Sequence, residues 1–463
     1  MYHVANSLSG KLAEYILDTS YERLPEEVVH LTKVTFLDWL GSAIVGSLQT
    51  PAKIVSDIAV SMQGGAKQAT VIGLSDGFDS WLSDTRTKST VLNATLANGT
   101  SSHMIELDDV HKASILHAGT VVIPGALALA EHLGVSGQKL IEAIVAGFDV
   151  CIRIGESITP AHYRYFHTTG TAGTFGAAAA AAKLLDLSAD QTIHALGTAG
   201  TQAAGLWEFI ENGSMSKHLH SGKAGWNGVL SALLAKKGFT GAETILEGKR
   251  GFIRSMAEEY DLDKIMDGLG EDYKILENCF KIHSSCRHTH HAIDLVIRLI
   301  QNNHLKTDDI SRIDVGTYQV ALDITDNPDP RTVYAAKFSL QFCAALAAAR
   351  RRAGFADFTQ ESVSDREIRN LLSRVHVFVD PVCQAKYPEK WAAHVTIHTV
   401  HGGSFTAETD YPKGDFENPV SQEDLVSKFK TLVSPYVKAS EIETLVSRAL
   451  NLEQLENLSL FFD

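Results

Sequence analysis

From Gly176 to Ala182 the chain is nothing but glycine and alanine. Side chains this small let neighbouring helix backbones approach closely, so the Gly173–Leu185 segment is expected as a helix at the centre of a packed all-α domain. The run itself carries no chemistry, and simple packing accounts for it. Its surroundings read the same way. Leu12, Tyr15 and Ile16 recur at helical spacing, and Pro25–Gly46 carries Val28, Val29, Leu31, Val34, Leu37, Leu40 and Ile44 as a broad apolar face. Leu92–Gly99, Gly125–Leu133, Gly137–Ile154 and Gln191–Gly200 repeat the pattern. Only Ala69–Leu74 reads as a strand, bounded by the turn signal Ser75-Asp76-Gly77.

After about Asp261 the texture changes. Ile310–Tyr318, Val375–Val379 and Ala392–Val400 alternate with period two, and Gly402-Gly403 leads into Ser404–Thr409 as a hairpin. Helical stretches, Thr289–Gln301, Lys337–Ala353 and Asp365–Ser373, separate these strands. Ser421–Leu432 and Ala439–Asn451 are again amphipathic helices and could return to the first domain.

A length of 463 residues suits two or three such domains. The net charge of −14 argues against a general nucleic-acid binder, though a local cationic pocket for an acidic small molecule remains compatible with it. The five cysteines (Cys151, Cys279, Cys286, Cys343, Cys383) form no CxxC pair and suit neither a disulfide nor a zinc framework. Met1–Ala13 has no secretory pattern, and apolar runs such as Gly176–Leu185 are too short to span a bilayer. A cytoplasmic, soluble protein without membrane partners is expected.

Four segments could carry chemistry. Residues 103–117 hold three histidines (His103, His111, His117) and three carboxylates (Glu106, Asp108, Asp109). Proton transfer needs groups that titrate near neutrality, and carboxylates can orient imidazoles or raise their pKa. A solvated loop and a metal site are the alternatives; HExxH spacing is absent. Tyr163–Thr171, with His167 and Thr168, precedes the alanine-rich helix, whose N-terminus could receive a carboxylate. Gly213–Lys223 holds Lys217, His218, His220 and Lys223, a possible clamp for a polycarboxylate or a basic turn. Lys281–Asp294 holds Arg287 and four histidines including His290, open to acid–base, metal or Cys286 thiol readings.

In this order the segments resemble the MmgE/PrpD family, whose members include 2-methylcitrate dehydratases, cis-aconitate decarboxylases and an iminodisuccinate epimerase. The marks are His103-Met104-Ile105-Glu106-Leu107-Asp108-Asp109 with His117-Ala118-Gly119, Phe166–Thr171, Ser216–Gly222, Arg287-His288-Thr289-His290 and Lys337–Phe342. The resemblance implies a mainly α fold. A helical domain would be built from residues 1–265 and 415–463, and a smaller α+β lid from 266–414, with a homodimer and an active site in the cleft. It implies His117 and His290 as acid–base groups, Glu106 and Lys217 as further catalytic residues, and His167, His103, Thr168 and Arg287 as substrate-binding residues. No metal and no cofactor is expected. Where decarboxylase members resemble MDFDDT, this chain has Glu106 and Val110: a carboxylate one methylene longer, and no hydroxyl.

The expected activity is proton transfer alpha to a carboxylate of a small di- or tricarboxylic acid, as a dehydratase-like or decarboxylase-like lyase. Epimerisation of an amino- or imino-dicarboxylate, and non-catalytic binding of acidic metabolites, are the alternatives.

Overall fold

The computed structural model describes residues 6–73, 87–211 and 213–463. The Ser75-Asp76-Gly77 turn and Leu74 lie outside these residues. The fold is mainly α, and the chain divides into two compact units. One holds the residues up to Met104, Asp108–Asn278 and Ser421–Asp463; the other holds Ile105–Leu107 and Cys279–Val420.

The first unit is a helical assembly around Thr168–Leu184, every residue of which is buried. It packs against Ala118–Leu133, Gly137–Ile158 and Ser216–Lys236. The packing is too close for larger residues. A Cβ on Gly176 would meet the Gly147 carbonyl oxygen at 2.6 Å, and one on Gly228 would meet the Ala178 nitrogen at 2.6 Å. The central helix starts at Thr168, five residues before Gly173, and two of its threonines bond back to the preceding turn. Thr171 donates to the Thr168 carbonyl at 3.3 Å and Thr174 to that of Gly170 at 3.1 Å. The expected Ala69–Leu74 strand is reduced to Ala69–Thr70, paired antiparallel with Lys88–Ser89.

Among the described residues one helix, Glu26–Gly46, is long and apolar enough to cross a membrane, which the sequence reading overlooked. Within the protein 78% of its apolar window is buried, so its length serves the core. Val34, Phe36, Leu37 and Leu40 are at most 2% exposed.

The second unit carries a mixed four-stranded sheet in the order Val375–Val379, Ile310–Thr317, Ala393–Thr399, Ser404–Thr409. The first pair is parallel and the others antiparallel. His290–Asn302 and Leu340–Arg350 pack on it, burying Val296, Ile300, Phe342 and Leu346 against Ile313, Val315, Val395 and Ile397. The helix expected over Lys337–Ala353 is shorter, Leu340–Arg350, and Lys337 ends a separate short helix, Val333–Lys337. The Ser339 hydroxyl accepts from the Phe342 N–H at 3.0 Å and caps a new start there.

The main segment of the second unit begins at Cys279. Arg153, fully buried in Gly137–Ile158, donates to the carbonyls of Asp267, Gly268 (3.1 Å) and Asp272 (2.6 Å), tying these residues into the first unit. The second unit's main segment ends at Val420 and includes Asp415, the ion-pair partner of Arg287.

Candidate active site

Three long helices of the first unit begin at one place. His117 precedes Ala118–Leu133, His167 precedes Thr168–Leu184, and Lys217, His218 and His220 lie in the first turns of Ser216–Lys236. His103 closes Val91–Ser102. Helix starts present unpaired N–H groups and partial positive charge, which favours an anion there. Glycines make the convergence possible. A Cβ on Gly99 would lie 2.8 Å from Gly222 Cα, and one on Gly119 would lie 2.4 Å from Asp109 Oδ1.

Asp108 organises the cluster. Its Oδ2 lies 2.7 Å from His103 Nδ1 and 2.9 Å from His117 Nδ1. His117 Nδ1 is also 2.7 Å from the Asp109 carbonyl, which can only accept, so this nitrogen carries the proton. Nε2 is left with the lone pair and has no hydrogen-bond partner among the described residues. His103 stacks on His167 with ring centroids 5.5 Å apart, and His167 Nδ1 lies 3.2 Å from His220 Nδ1. His218 Nδ1 donates to the His103 carbonyl at 3.0 Å. Three buried atoms here lack a partner: Asp108 Oδ1, His103 Nε2 and Thr168 Oγ1.

Burial dominates the electrostatics. It pushes His103 down to about 3 in spite of Asp108, and His220 to about 4 with help from Lys223 and Lys217. His167 falls well below the ordinary imidazole value through burial, then His103, His220 and Lys217. The expectation that carboxylates would raise these histidines therefore fails for His103: desolvation outweighs one ion pair. Burial also works to raise Asp108, but His103 and His117 overcome it and hold the carboxyl well below the usual range. Asp109, buried beside Asp108 and Asp38, goes up to about 8.

Glu106, Arg287 and His290 fall in the second unit. Glu106 has a left-handed backbone (φ 57°), strain that a non-glycine residue adopts only where its surroundings impose it. The Ile105 carbonyl accepts from Ser284 Oγ at 2.7 Å and Lys337 Nζ at 3.0 Å, and Lys281 Nζ donates to Glu106 Oε2 at 3.0 Å. Lys281 and Lys337 were not singled out from sequence. Lys281 opens the histidine-rich segment Lys281–Asp294 and Lys337 the mark Lys337–Phe342, but neither was given a role. His290 Nδ1 accepts from Arg287 Nη1 at 2.9 Å, while Nε2 donates to the Ser285 carbonyl at 3.3 Å. Arg287 pairs with Asp415.

Two groups could approach metal-ligand geometry. His103, Asp108 and His117 offer atoms within 4.8 Å of one another, as do His111, Glu156 and Glu277. In the first, the His117 atom concerned carries a proton bound for a carbonyl. In the second, Lys274 Nζ already lies 3.2 Å from Glu156 and 2.9 Å from Glu277, where a cation would sit.

Residues 10–264 match the MmgE/PrpD N-terminal domain and residues 283–453 the MmgE/PrpD C-terminal domain. The chain belongs to the MmgE/PrpD family. It is 26% identical to human cis-aconitate decarboxylase, covering 98% of this chain and 93% of that protein. It is 23% identical to the cis-aconitate decarboxylase-like protein oryM of Aspergillus oryzae, covering 98% and 96%. To the 2-methylcitrate dehydratase of Salmonella typhimurium it is 24% identical over 60% of each chain. The decarboxylase and the dehydratase activities in these names are both lyase reactions.

Proposed function

We propose that this chain is a cofactor-independent lyase acting alpha to a carboxylate of a small di- or tricarboxylic acid, by dehydration or decarboxylation. One observation carries the reading. Asp108 Oδ1, His103 Nε2 and Thr168 Oγ1 are buried without partners beside His117, whose Nε2 lone pair is open. Each such orphan costs roughly 1–3 kcal/mol, which a polar guest would offset.

In dehydration, His117 Nε2 takes the proton from the alpha carbon, and its new charge is met by Asp108. The C–H electron pair becomes an enolate, stabilised by the ammonium of Lys217. The enolate then expels the β-hydroxyl, which takes the proton held by His117 Nε2 and leaves with the C–O bonding pair as water. In decarboxylation, His117 enters the cycle protonated at Nε2 beside Asp108; carbon dioxide departs, its bonding pair stays on the substrate carbon as an enolate, and His117 gives its Nε2 proton to that carbon and becomes neutral. His167, His103 and Thr168 bind the carboxylates, the imidazoles as neutral hydrogen-bonding partners. Glu106, held by Lys281 within the second unit, is a carboxylate proposed to take part in transfer. Arg287 is engaged by Asp415 and His290, so its part is to hold His290 and not to meet the substrate.

The test is incubation in deuterated water with citrate-, aconitate- and succinate-type acids, followed by NMR, with and without a chelator. Elimination or carbon dioxide loss that survives chelation is expected. Inversion with label at one carbon would make the chain an epimerase, and tight binding without label entry would make it a non-catalytic binder. Loss of turnover on chelation, restored by a divalent ion, would refute the cofactor-independent chemistry.

A further inference from the structure

The chain between Asp108 and His117 is a hairpin with a strained turn. The His111 N–H donates to the Leu116 carbonyl at 2.8 Å, and the Leu116 N–H to that of His111 at 3.3 Å. The ends of this pair lead straight to the groups that set the site. Asp109 comes two residues before His111, and His117 directly follows Leu116. His117 is held by its Nδ1 bond to the Asp109 carbonyl and by Thr169 Oγ1, which accepts its N–H at 3.1 Å. Within the turn Ile115 has a left-handed backbone (φ 48°), a strain of roughly 1–3 kcal/mol that persists only where the surroundings impose it.

His111, 1% exposed, supplies that constraint. Its Nδ1 accepts the Ser114 N–H at 3.3 Å and lies 3.0 Å from Ser114 Oγ. A backbone N–H can only donate, so Nδ1 holds the lone pair and Nε2 the proton. Nε2 donates to Glu277 Oε2 at 3.1 Å, with Glu156 Oε1 at 3.8 Å. Lys274 Nζ joins the two carboxylates, 2.9 Å from Glu277 and 3.2 Å from Glu156. Burial works to raise Glu277, but His111 and Lys274 overcome it and bring the carboxyl down to about 2, so the acceptor stays charged at neutral pH. This anchor is itself fixed. The Lys274 N–H donates to Asp149 Oδ1 at 3.1 Å, which also takes the Arg153 Nε–H at 3.1 Å, and Asp149, Arg153 and Glu156 share the helix Gly137–Ile158. The turn rests on that helix at Gly155, where a Cβ would meet Ser114 Cβ at 2.8 Å. Hairpin, brace and anchor all belong to the first unit.

We propose that His111 is a positioning residue for the proton transfer: it braces the turn against Glu277 and so holds the Asp109 carbonyl and His117 at the spacing that aims the His117 lone pair. The inference rests on the lyase reading above. His111 acts through His117 and not on the substrate. One of its nitrogens closes the turn, the other grips an anchored carboxylate, and the brace needs both. Without either grip the hairpin relaxes, the His117–Asp109 bond lengthens, and the His117 ring is free to tilt or to carry its proton on Nε2. A displacement of about 1 Å in a transferring group costs about a hundredfold in rate, which bounds the effect.

The full-length chain is assayed on the acid panel, with melting temperatures and NMR of histidine-labelled protein. His111→Asn keeps an acceptor in the place of Nδ1 but cannot reach Glu277. His111→Gln keeps a donor in the place of Nε2 but offers the turn no acceptor. Each is expected to lower kcat between about tenfold and about a hundredfold, with KM little changed. Glu277→Ala, at a partly exposed position, should match them without altering the turn itself. Glu277→Gln should recover most of that loss, because its amide oxygen can still accept from His111. His111→Asn combined with Glu277→Ala should be no worse than either alone, since both break one brace. The His117 Nδ1–H resonance, assigned by its absence in His117→Gln, should weaken in the His111 variants as the second tautomer appears. Thr70→Val, which loses a 2.6 Å bond to Glu131, shows what simple destabilisation of the same unit looks like: a lower melting temperature with kcat unchanged. That pattern in the His111 variants, full turnover in Glu277→Ala, or losses that multiply in the double variant, overturns the inference and leaves the lyase reading standing. A wild type inert toward the whole panel overturns both.

Discussion

Asp108 and Asp109 are neighbours in sequence, equally buried, and should respond to the same substitution in opposite ways. Asp108 Oδ2 lies 2.9 Å from His117 Nδ1, so the charge centres of carboxylate and imidazolium would be about 4 Å apart. With an effective dielectric constant near 20, that attraction is about 4 kcal/mol, or about a thousandfold in rate at ~1.4 kcal/mol per power of ten. The Asp109 carbonyl still orients the ring in Asp108→Asn, so a kcat lowered on the order of 100- to 1000-fold is expected, with little change in KM. Asp109→Asn should stay within about threefold at pH 7, because a carboxyl raised to about 8 is already protonated there and an amide oxygen can still accept the Gly119 N–H. Its signature is in stability. Unfolded Asp109 loses its proton near pH 4, whereas the folded group keeps it until about 8. Between these values the folded state binds more protons, so wild-type stability falls as pH rises, and the Asp109→Asn variant, which has no proton to lose, escapes that fall. The variant's gain in melting temperature should therefore widen from pH 5 to pH 8. Steady-state kinetics with thermal melts across that range test both halves. Equal kinetic damage from the two variants, or a gain that does not change with pH, would refute the assignment of charge.

Two further outcomes follow from buried charge. Lys281→Met should destabilise by about 3–5 kcal/mol, since it removes a buried cation from Glu106, 1% exposed, and Glu106→Gln with Lys281→Met should recover much of the loss in denaturant unfolding. Additive single effects would deny the pair. Binding of a dicarboxylate should take up protons: an anion about 4 Å away adds about 4 kcal/mol to imidazole proton affinity. Calorimetry at pH 6 in buffers of different ionisation enthalpy should show uptake, and none at all would contradict the burial of neutral histidines.

The helical core was legible because composition alone dictates it: a helix of glycine and alanine can sit only where backbones cross closely, as Gly176 does against Gly147. The strands were legible from alternation, which a sheet covered on one face by His290–Asn302 requires. The helix was expected to start at Lys337, three residues early, because its start is set by the Ser339 cap on the Phe342 N–H and not by the apolar period. In the site, the histidines and Lys217 stood out by residue type, but their states did not. Asp109 owes its proton partly to Asp38, seventy-one residues earlier, and Glu106 owes its partner to Lys281, 175 residues later. No local pattern encodes such distances. The Arg287–His290 bond spans three residues and was within reach of a closer reading.

The cluster's charges explain why so many histidines gather around so few carboxylates. Burial keeps His103, His167 and His220 neutral in the free protein, and Asp109 holds its proton, so Asp108 faces few fixed cations beyond Lys217. Permanently charged arginines in these places would bind an anion more tightly, but equally before and during reaction, which does not raise kcat. Neutral imidazoles behave differently. Their proton affinity rises when negative charge arrives and rises further as an enolate forms, so stabilisation grows along the reaction coordinate. The low-dielectric pocket that suppresses their protonation in the empty site is the same one that strengthens it once charge is present. Burial and reactivity are then one design constraint: exposing these rings to water would restore ordinary titration and weaken the differential response together.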